Sequence, residues 1–132
     1  MAPVPSSATQ FASAYNLSDL PTLVALLSES ATAEVLGAPF EEEIGREKIA
    51  RTSLPYILQP GPHALTAEVH RLGEAEFVLL VRQESRLIEM CVQVQATAGK
   101  ITRLEYWVVP FRRIAMVDLV KPLGLEVAPL EA

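Results

Sequence analysis

Apolar residues recur at helical spacing along the first part of the chain. Ser7-x-x-Gln10 is a capping-box pattern, and the apolar positions after it follow the period of a helix through Tyr15. Ser18 can cap a second helix, in whose first turn Pro21 is tolerated. Leucine and valine then repeat every three or four residues up to position 27. The pattern predicts two short helices, each with one buried side.

The pattern changes at residues 31–36, which favour a strand, and 41–44 favour a short second strand. Gly45 then precedes a third helix, predicted over 46 to about 58. Pro55 cannot donate a backbone hydrogen bond, so we expect the helix to kink or to end early there.

The second half of the chain has the pattern of a β-sheet. A Gln-Pro-Gly-Pro break at 59–62 is followed by four predicted strands with short gaps that favour hairpins: 64–72, 75–84, 86–96 and 100–109. Helices followed by antiparallel strands indicate the α+β class. We expect one domain over 1–132, with residues 1–6 and 123–132 as flexible tails.

Two of these strands are apolar at consecutive positions, 77–81 and 106–109. Apolar and polar residues should alternate along a strand that has one solvent-exposed face. These strands do not alternate, so both faces of the sheet are predicted to be covered. The helices can cover one face. A second copy of the chain in a homodimer, or the chain's own segment 111–120 folding back, would cover the other. The prevalence of two-fold pairs favours the homodimer.

Composition narrows the function classes. Half of the 132 residues are hydrophobic and a fifth are charged, as in globular proteins, and the net charge is −5. Without a long basic stripe, an acidic chain repels polyanions, so no nucleic acid is expected as a partner.

Cys91 is the only cysteine, so the chain cannot form an internal disulfide, and a reducing compartment is expected. The stretch MAPVPSSA does not have the pattern of a secretory signal, and no apolar run is long enough to cross a bilayer. We expect a cytoplasmic protein without membrane contact.

Three stretches carry a resemblance to a known superfamily: FASAYNLSDLPTLVALLSESATAEV (11–35), IGREKIA (44–50) and AGKITRLEYWVVP (98–110). In this order they resemble the nuclear-transport-factor-2-like proteins, which include ketosteroid isomerases and SnoaL-like polyketide cyclases. The resemblance implies three N-terminal helices on a strongly curved, mainly antiparallel sheet, a cystatin-like cone that encloses a pocket. Its convex side commonly dimerises. A similar arrangement occurs in C-terminal extensions of some extracytoplasmic-function sigma factors.

The isomerase branch of the resemblance implies three catalytic positions, and unsuitable residues occupy them. The oxyanion-donating tyrosine falls on Phe11, the proton-shuttling aspartate on Val35, and the protonated aspartate partner on Cys91. Moving a proton beside a carbonyl needs a base within reach and a donor for the developing charge. Ketosteroid isomerase activity is therefore not expected.

The same alignment assigns residues to the two faces of the sheet. The predicted ligand-binding residues are Tyr15, Phe77, Leu79, Cys91, Gln93, Leu104, Tyr106 and Val108. The predicted dimer-interface residues, on the opposite face, are Val78, Leu80, Met90, Val92, Val94 and Trp107. Strand 86–96 leaves the register open between Glu89 and Met90 as the pocket-facing residue, because a slip of one residue exchanges the faces.

Glu89 is the predicted catalytic acid or base. A carboxylate in an apolar cup has its pKa raised toward neutrality, which favours proton transfer. The alternative is an exposed strand glutamate, or a glutamate paired with Arg86 or Arg103.

The other residues of reactive types are expected to have structural or solvent-exposed roles and no catalytic one. Glu41, Glu42 and Glu43 are expected to be solvated beside the start of the following helix. Cys91 is expected to be a small buried hydrophobe. His63, His70 and Glu68 lack zinc-type spacing, so no metal and no cofactor is predicted.

Two functions remain open from sequence. The first is binding of a small hydrophobic or cyclic metabolite in an internal pocket, alone or with SnoaL-like isomerase, cyclase or dehydratase chemistry. The second is a non-catalytic dimerisation or regulatory module related to the sigma-factor extensions, whose pocket would be filled by its own side chains.

Overall fold

The computed structural model describes residues 5–59 and 61–130. The helices in this part are α1 (Ser7–Asn16), α2 (Leu20–Leu26), α3 (Arg46–Arg51), α4 (Ser53–Leu58) and α5 (Val109–Val120). The strands are β1 (Leu27–Val35), β2 (Glu43–Ile44), β3 (Leu65–Leu72), β4 (Ala75–Arg82), β5 (Ile88–Thr97) and β6 (Lys100–Val108).

The six strands form one sheet in the order β2-β1-β6-β5-β4-β3. Neighbours are antiparallel except β1 and β6, which run parallel. Three pairings contain a register shift, which adds local bend and twist. Helices α1 to α4 pack on one side of the sheet, called here the inner face. The predicted α+β class with helices on a curved, mainly antiparallel sheet is confirmed.

The N-terminal helices begin at the side-chain caps that their sequences supply. Ser6, one residue before the predicted cap, accepts a hydrogen bond from the backbone N–H of Thr9 at 3.1 Å. Helix α2 is capped by Asp19 and not by the predicted Ser18: the Asp19 carboxylate accepts from the N–H of Thr22 at 3.2 Å. These side chains satisfy donors that a helix start otherwise leaves without partners.

The predicted third helix is two helices, and the expected break at Pro55 is wrong. The chain breaks at Thr52, whose φ of −118° and ψ of −82° are not helical. Pro55 lies in the first turn of α4, where a backbone N–H has no intrahelical acceptor, so it is tolerated there.

The inner face carries the main hydrophobic core. Helices α1, α2, α3 and α4 bury apolar side chains of β4, β5 and β6 at 0–8% exposure, among them Val78, Leu80, Val92, Val94 and Leu104. Phe11 is fully buried in the same core.

The opposite, outer face of β4 and β5 is covered by the chain's own C-terminal segment. Met116 and Val120 of α5 are fully buried against Phe77, Leu79 and other outer-face residues. The backbone after α5 also pairs with β5: Ile88 donates to Glu126 and accepts from Ala128, both at 2.9 Å. Residues 125–128 are therefore a packed part of the fold and not the predicted flexible tail. The predicted N-terminal tail covers residues 1–6, and residues 1–4 of it lie outside the described residues.

The predicted faces are wrong on β4 and on β5 from Met90 onward, and correct on β6. Phe77, Leu79 and Cys91 lie in the outer cluster under α5, while the inner core contains Val78, Leu80, Met90, Val92 and Val94. Strand β6 has Leu104, Tyr106 and Val108 inside and Trp107 outside, as predicted.

The premise of the homodimer prediction, an outer face left bare by the chain itself, is therefore wrong. Of the predicted interface residues, five lie under the helices. The sixth, Trp107, packs edge-to-face on Phe77 with centroids 5.5 Å apart and lies 4.8 Å from the Arg112 guanidinium. The homodimer itself stays a prediction, which the mass in solution tests.

Replacement of Met116 by alanine tests the role of α5. We expect Met116→Ala to lower the free energy of unfolding by about 2–4 kcal/mol, because a fully buried side chain is removed from a packed cluster. Ile114→Ala is the matched control, since Ile114 is 81% exposed on the same helix, and its effect should stay within about 0.5 kcal/mol. Urea unfolding measures both. Equal effects of the two variants would contradict the covering role of α5.

Cys91 offers a second test of the covered face. Burial raises the pKa of its thiol to about 12, so the native thiol should not react with a disulfide reagent at about pH 8 but should react in denaturant. Because the pKa of this thiol is higher in the native state than in the unfolded chain, the protonated thiol contributes to the free energy of unfolding. This contribution is fully present below the unfolded thiol's pKa of about 8.5. That contribution is lost as the pH rises toward the native value. Rapid modification of Cys91 in native protein would show that the C-terminal segment leaves the sheet.

Candidate functional site

A cavity of about 590 Å³ opens at one end of the cone. The end of β1 with the following loop, the start of α4, the β5 bulge, and the junction of β6 with α5 surround it. Its apolar wall includes Val35, Ile57, Met90, Val108 and Val109. A largely apolar concavity of this size is in the range of small-molecule sites.

Aromatic side chains are concentrated in this cavity. Four of the chain's eight aromatic residues line it: Phe40, Tyr56, Tyr106 and Phe111. Three of them lie at the mouth with 40–69% of their surface exposed. Phe40 and Phe111 contact each other edge-to-face at 6.0 Å between centroids. Exposed aromatic rings around a concavity are typical of a surface that binds something.

The polar end of the cavity is formed by Tyr106 and Ser53. The Tyr106 hydroxyl lies 2.8 Å from Ser53 Oγ, and the tyrosine is almost fully buried. Burial raises the pKa of Tyr106 far above its ordinary value, and the nearby Glu43 charge raises it further, outweighing the opposite effect of the Ser53 hydrogen bond. The phenol therefore stays protonated at physiological pH and remains a neutral hydrogen-bonding group.

Glu43 lies beside this pair, so the expectation that all three glutamates are solvated is wrong for one of them. Its Oε1 accepts hydrogen bonds from the Thr52 hydroxyl and, at 3.3 Å, from the Ser53 N–H at the start of α4. Glu43 thus lines the cavity. Glu42 instead binds Arg103, and Glu41 is exposed.

Glu89 reaches the cavity through a β-bulge. Leu80 pairs with Met90 and Val81 pairs with Ile88, so Glu89 is the extra residue between them. Glu89 and Met90 consequently both line the cavity, which answers the register question left open by the sequence. The Glu89 charge also adds to the rise in the pKa of Tyr15, whose main cause is burial.

The Glu89 carboxylate is paired, although with neither of the arginines considered from sequence. Arg82 Nε lies 2.5 Å from Glu89 Oε1, and Arg82 is 7% exposed. Arg86 binds Glu68, and Arg103 binds Glu34, Glu42 and Glu105. The unpaired carboxylate on which the acid–base prediction depended is therefore not present.

Of the predicted site residues, the structure brings Glu89, Tyr106 and Val108 together. Leu104 is buried in the core, and Tyr15 donates to the Ile57 carbonyl at 3.1 Å without lining this cavity. Gln93 lines a different depression of about 610 Å³, near the β3–β4 turn, whose walls include the charged side chains Arg71, Glu74 and Glu76.

Two positions of the isomerase alignment can be compared with the cavity. Val35 lines the cavity, as the alignment implies. Cys91 lies on the outer face, so it does not correspond to a cavity-facing partner of an oxyanion hole.

Sequence reasoning missed Ser53, Glu43, Phe40 and Phe111. They come from loops and helix starts that only the folded chain brings together. One signal was available: Phe40 and Phe111 each stand beside a proline, where a strand or core-facing helix position is not favoured.

Within residues 5–59 and 61–130, no cluster of three or more His, Cys, Asp or Glu has metal-binding geometry. Among the same residues, no helix combines the length and the apolar content needed to cross a membrane.

No protein-family model and no curated protein matches the sequence. Solved structures do match the fold. An "NTF-2 like protein of unknown function" from Burkholderia xenovorans has a TM-score of 0.59 at 11% identity, over 96% of this chain and 84% of its own. The "putative ketosteroid isomerase" from Kribbella flavida has a TM-score of 0.55 at 22% identity, over 77% and 74%. The "putative polyketide cyclase" from Sinorhizobium meliloti has a TM-score of 0.56 at 19% identity, over 78% and 94%.

At these identities the similarity concerns the fold and not the reaction. The resemblance stated from the sequence is confirmed at this level: the protein has the cone-shaped α+β fold of the nuclear-transport-factor-2-like proteins.

Proposed function

We propose that the protein binds a small, largely apolar, cyclic molecule in the cavity at the open end of the cone. One observation carries this proposal: an apolar cavity of about 590 Å³ ends on the hydroxyl pair of the buried Tyr106 and the half-buried Ser53. Apolar walls supply binding energy in proportion to the ligand surface they remove from water. The hydroxyl pair orients a single polar group of the ligand.

The second function considered from sequence, an interaction module with a filled interior, receives less support. That function expects the pocket to be occupied by the chain's own side chains. The cavity is open and its aromatic rim is exposed, which favours a ligand. The names of the similar structures, an isomerase and a polyketide cyclase among them, are compatible with a small cyclic ligand.

Filling the cavity tests the binding proposal. Val108 lines the cavity from the end of β6, so in Val108→Phe a ring replaces part of the space for a ligand. A suitable probe set is tetralin with its ketone, α-tetralone, and its alcohol, α-tetralol. We expect at least one probe to raise the melting temperature of the wild type by a few degrees, because a ligand of the native state stabilises it by mass action. Val108→Phe should not respond.

Val117→Phe is the matched control. Val117 is 38% exposed on α5 and does not line the cavity, so this variant should respond like the wild type. The proposal fails if no probe shifts the wild type, or if Val108→Phe responds as strongly as Val117→Phe.

A reaction of the SnoaL-like type is a second candidate, favoured by one observation. A neutral phenol, Tyr106, and the carboxylate of Glu43 both hydrogen-bond to Ser53, through its hydroxyl and its N–H respectively. An isomerase, cyclase or dehydratase needs such a donor and acceptor near the reacting carbon. The predicted acid or base, Glu89, is held by Arg82, so we assign the cavity to binding first.

Deuterium exchange separates binding from proton-transfer chemistry. The C–H group beside the carbonyl of α-tetralone exchanges with D₂O when a base removes its proton. We expect the protein not to accelerate this exchange above the buffer rate, because Glu89 is engaged in its ion pair. NMR follows the exchange. Acceleration that Glu89→Gln abolishes would restore the catalytic role of Glu89, and acceleration that Glu43→Gln abolishes would assign the role to Glu43.

A further inference from the structure

The aromatic side chains of the cavity form an electrostatic environment as well as an apolar wall. Phe40, Tyr56, Tyr106 and Phe111 surround one opening. The face of an aromatic ring is electron-rich and attracts a cation within about 6 Å of its centre. Half of the chain's aromatic residues thus line this one cavity. A cation that contacts the face of any of these rings is attracted to it, and an anion is not.

The charged side chains of the lining have the same preference. Glu43 and Glu89 are the only charged residues among those that line the cavity in the described chain. Glu89 is paired with Arg82. Glu43 receives hydrogen bonds only from the neutral Thr52 hydroxyl and Ser53 N–H, and no described Lys, Arg or His forms an ion pair with it. Its charge therefore remains uncompensated beside an apolar surface, where charges interact more strongly than in water.

From these two observations we propose that the ligand is an organic cation: a protonated amine on an apolar, cyclic body. This inference rests on the proposed function and adds the charge of the ligand. The apolar body occupies the cavity against Val35, Met90 and Val108. The ammonium group lies at the polar end, near Glu43.

The polar end has the acceptors that an ammonium group needs. A primary ammonium has three N–H donors and no acceptor. Glu43 Oε2, which no described residue hydrogen-bonds, can accept one of them. The Ser53 and Tyr106 hydroxyl oxygens have lone pairs left beyond the single hydrogen bond between them. A carboxylate ligand would instead be repelled by the carboxylates of Glu43 and Glu89. The Arg82 guanidinium already forms an ion pair with Glu89.

Three probes of one skeleton test the charge preference. 1-Aminotetralin, α-tetralol and tetralin-1-carboxylate present a cation, a neutral group and an anion on the same bicyclic body. Titration calorimetry at neutral pH and low salt gives their dissociation constants. We expect the amine to bind at least about tenfold more tightly than the alcohol, and the carboxylate to bind most weakly.

Glu43→Gln should bring the amine and the alcohol to within about twofold of each other, because it removes the charge but keeps the shape. Glu41→Gln is the matched control: it makes the same change in net charge two residues away, at an exposed position outside the cavity. This control should keep the preference for the amine.

A salt titration of the wild type needs no variant and covers the case in which Glu43→Gln does not fold. Raising the salt to about 0.5 M should weaken amine binding severalfold and leave alcohol binding unchanged. Equal affinity of the wild type for the amine and the alcohol overturns this inference. A preference for the amine that survives Glu43→Gln or high salt also overturns it. Both results leave the proposed function standing. If none of the three probes binds, the proposed function fails together with the inference.

Discussion

Strands β4 and β5 bury apolar side chains on both faces, and the rest of the fold depends on covering both. The N-terminal helices cover the inner face, and α5 with residues 121–128 covers the outer one. Because the chain itself supplies both covers, the two ends of the sequence meet the same two strands from opposite sides. At the open end of the cone, where the cavity lies, the aromatic side chains of the rim stay exposed.

The order of elements could be predicted from sequence because it depends on local pattern. Capping residues, apolar periodicity and Gly–Pro breaks identified the N-terminal helices and six strands, and the family resemblance supplied the curvature of the sheet. The break at Thr52 could not be predicted from propensity, since the proline three residues later is the stronger local signal. The helix α5 was considered only as a segment that could fold back, because a run such as 109–120 does not show by its pattern which surface it covers.

The candidate site was predicted only in part, and the β5 bulge explains the difference on that strand. Alternation along β5 assigns Glu89 and Met90 to opposite faces, and one extra residue places both on the cavity side. On β6, which has no shift between Leu104 and Val108, alternation assigned Tyr106 and Val108 correctly. Glu43 and Ser53 lie ten positions apart and meet through a hydrogen bond, a contact that no periodicity encodes.

The ion-pair network of Arg103 has a consequence for the mouth of the cavity. This one guanidinium, on the outer face of β6, binds Glu34 of β1, its own strand's Glu105 and Glu42 in the loop that also carries Phe40. Phe40 in turn contacts Phe111 across the rim. The position of an entrance aromatic is thereby coupled to a solvent-accessible cluster of charges on the reverse side of the sheet. Arg103 therefore ties the loop that carries one side of the entrance to two neighbouring strands, although Arg103 itself does not line the cavity.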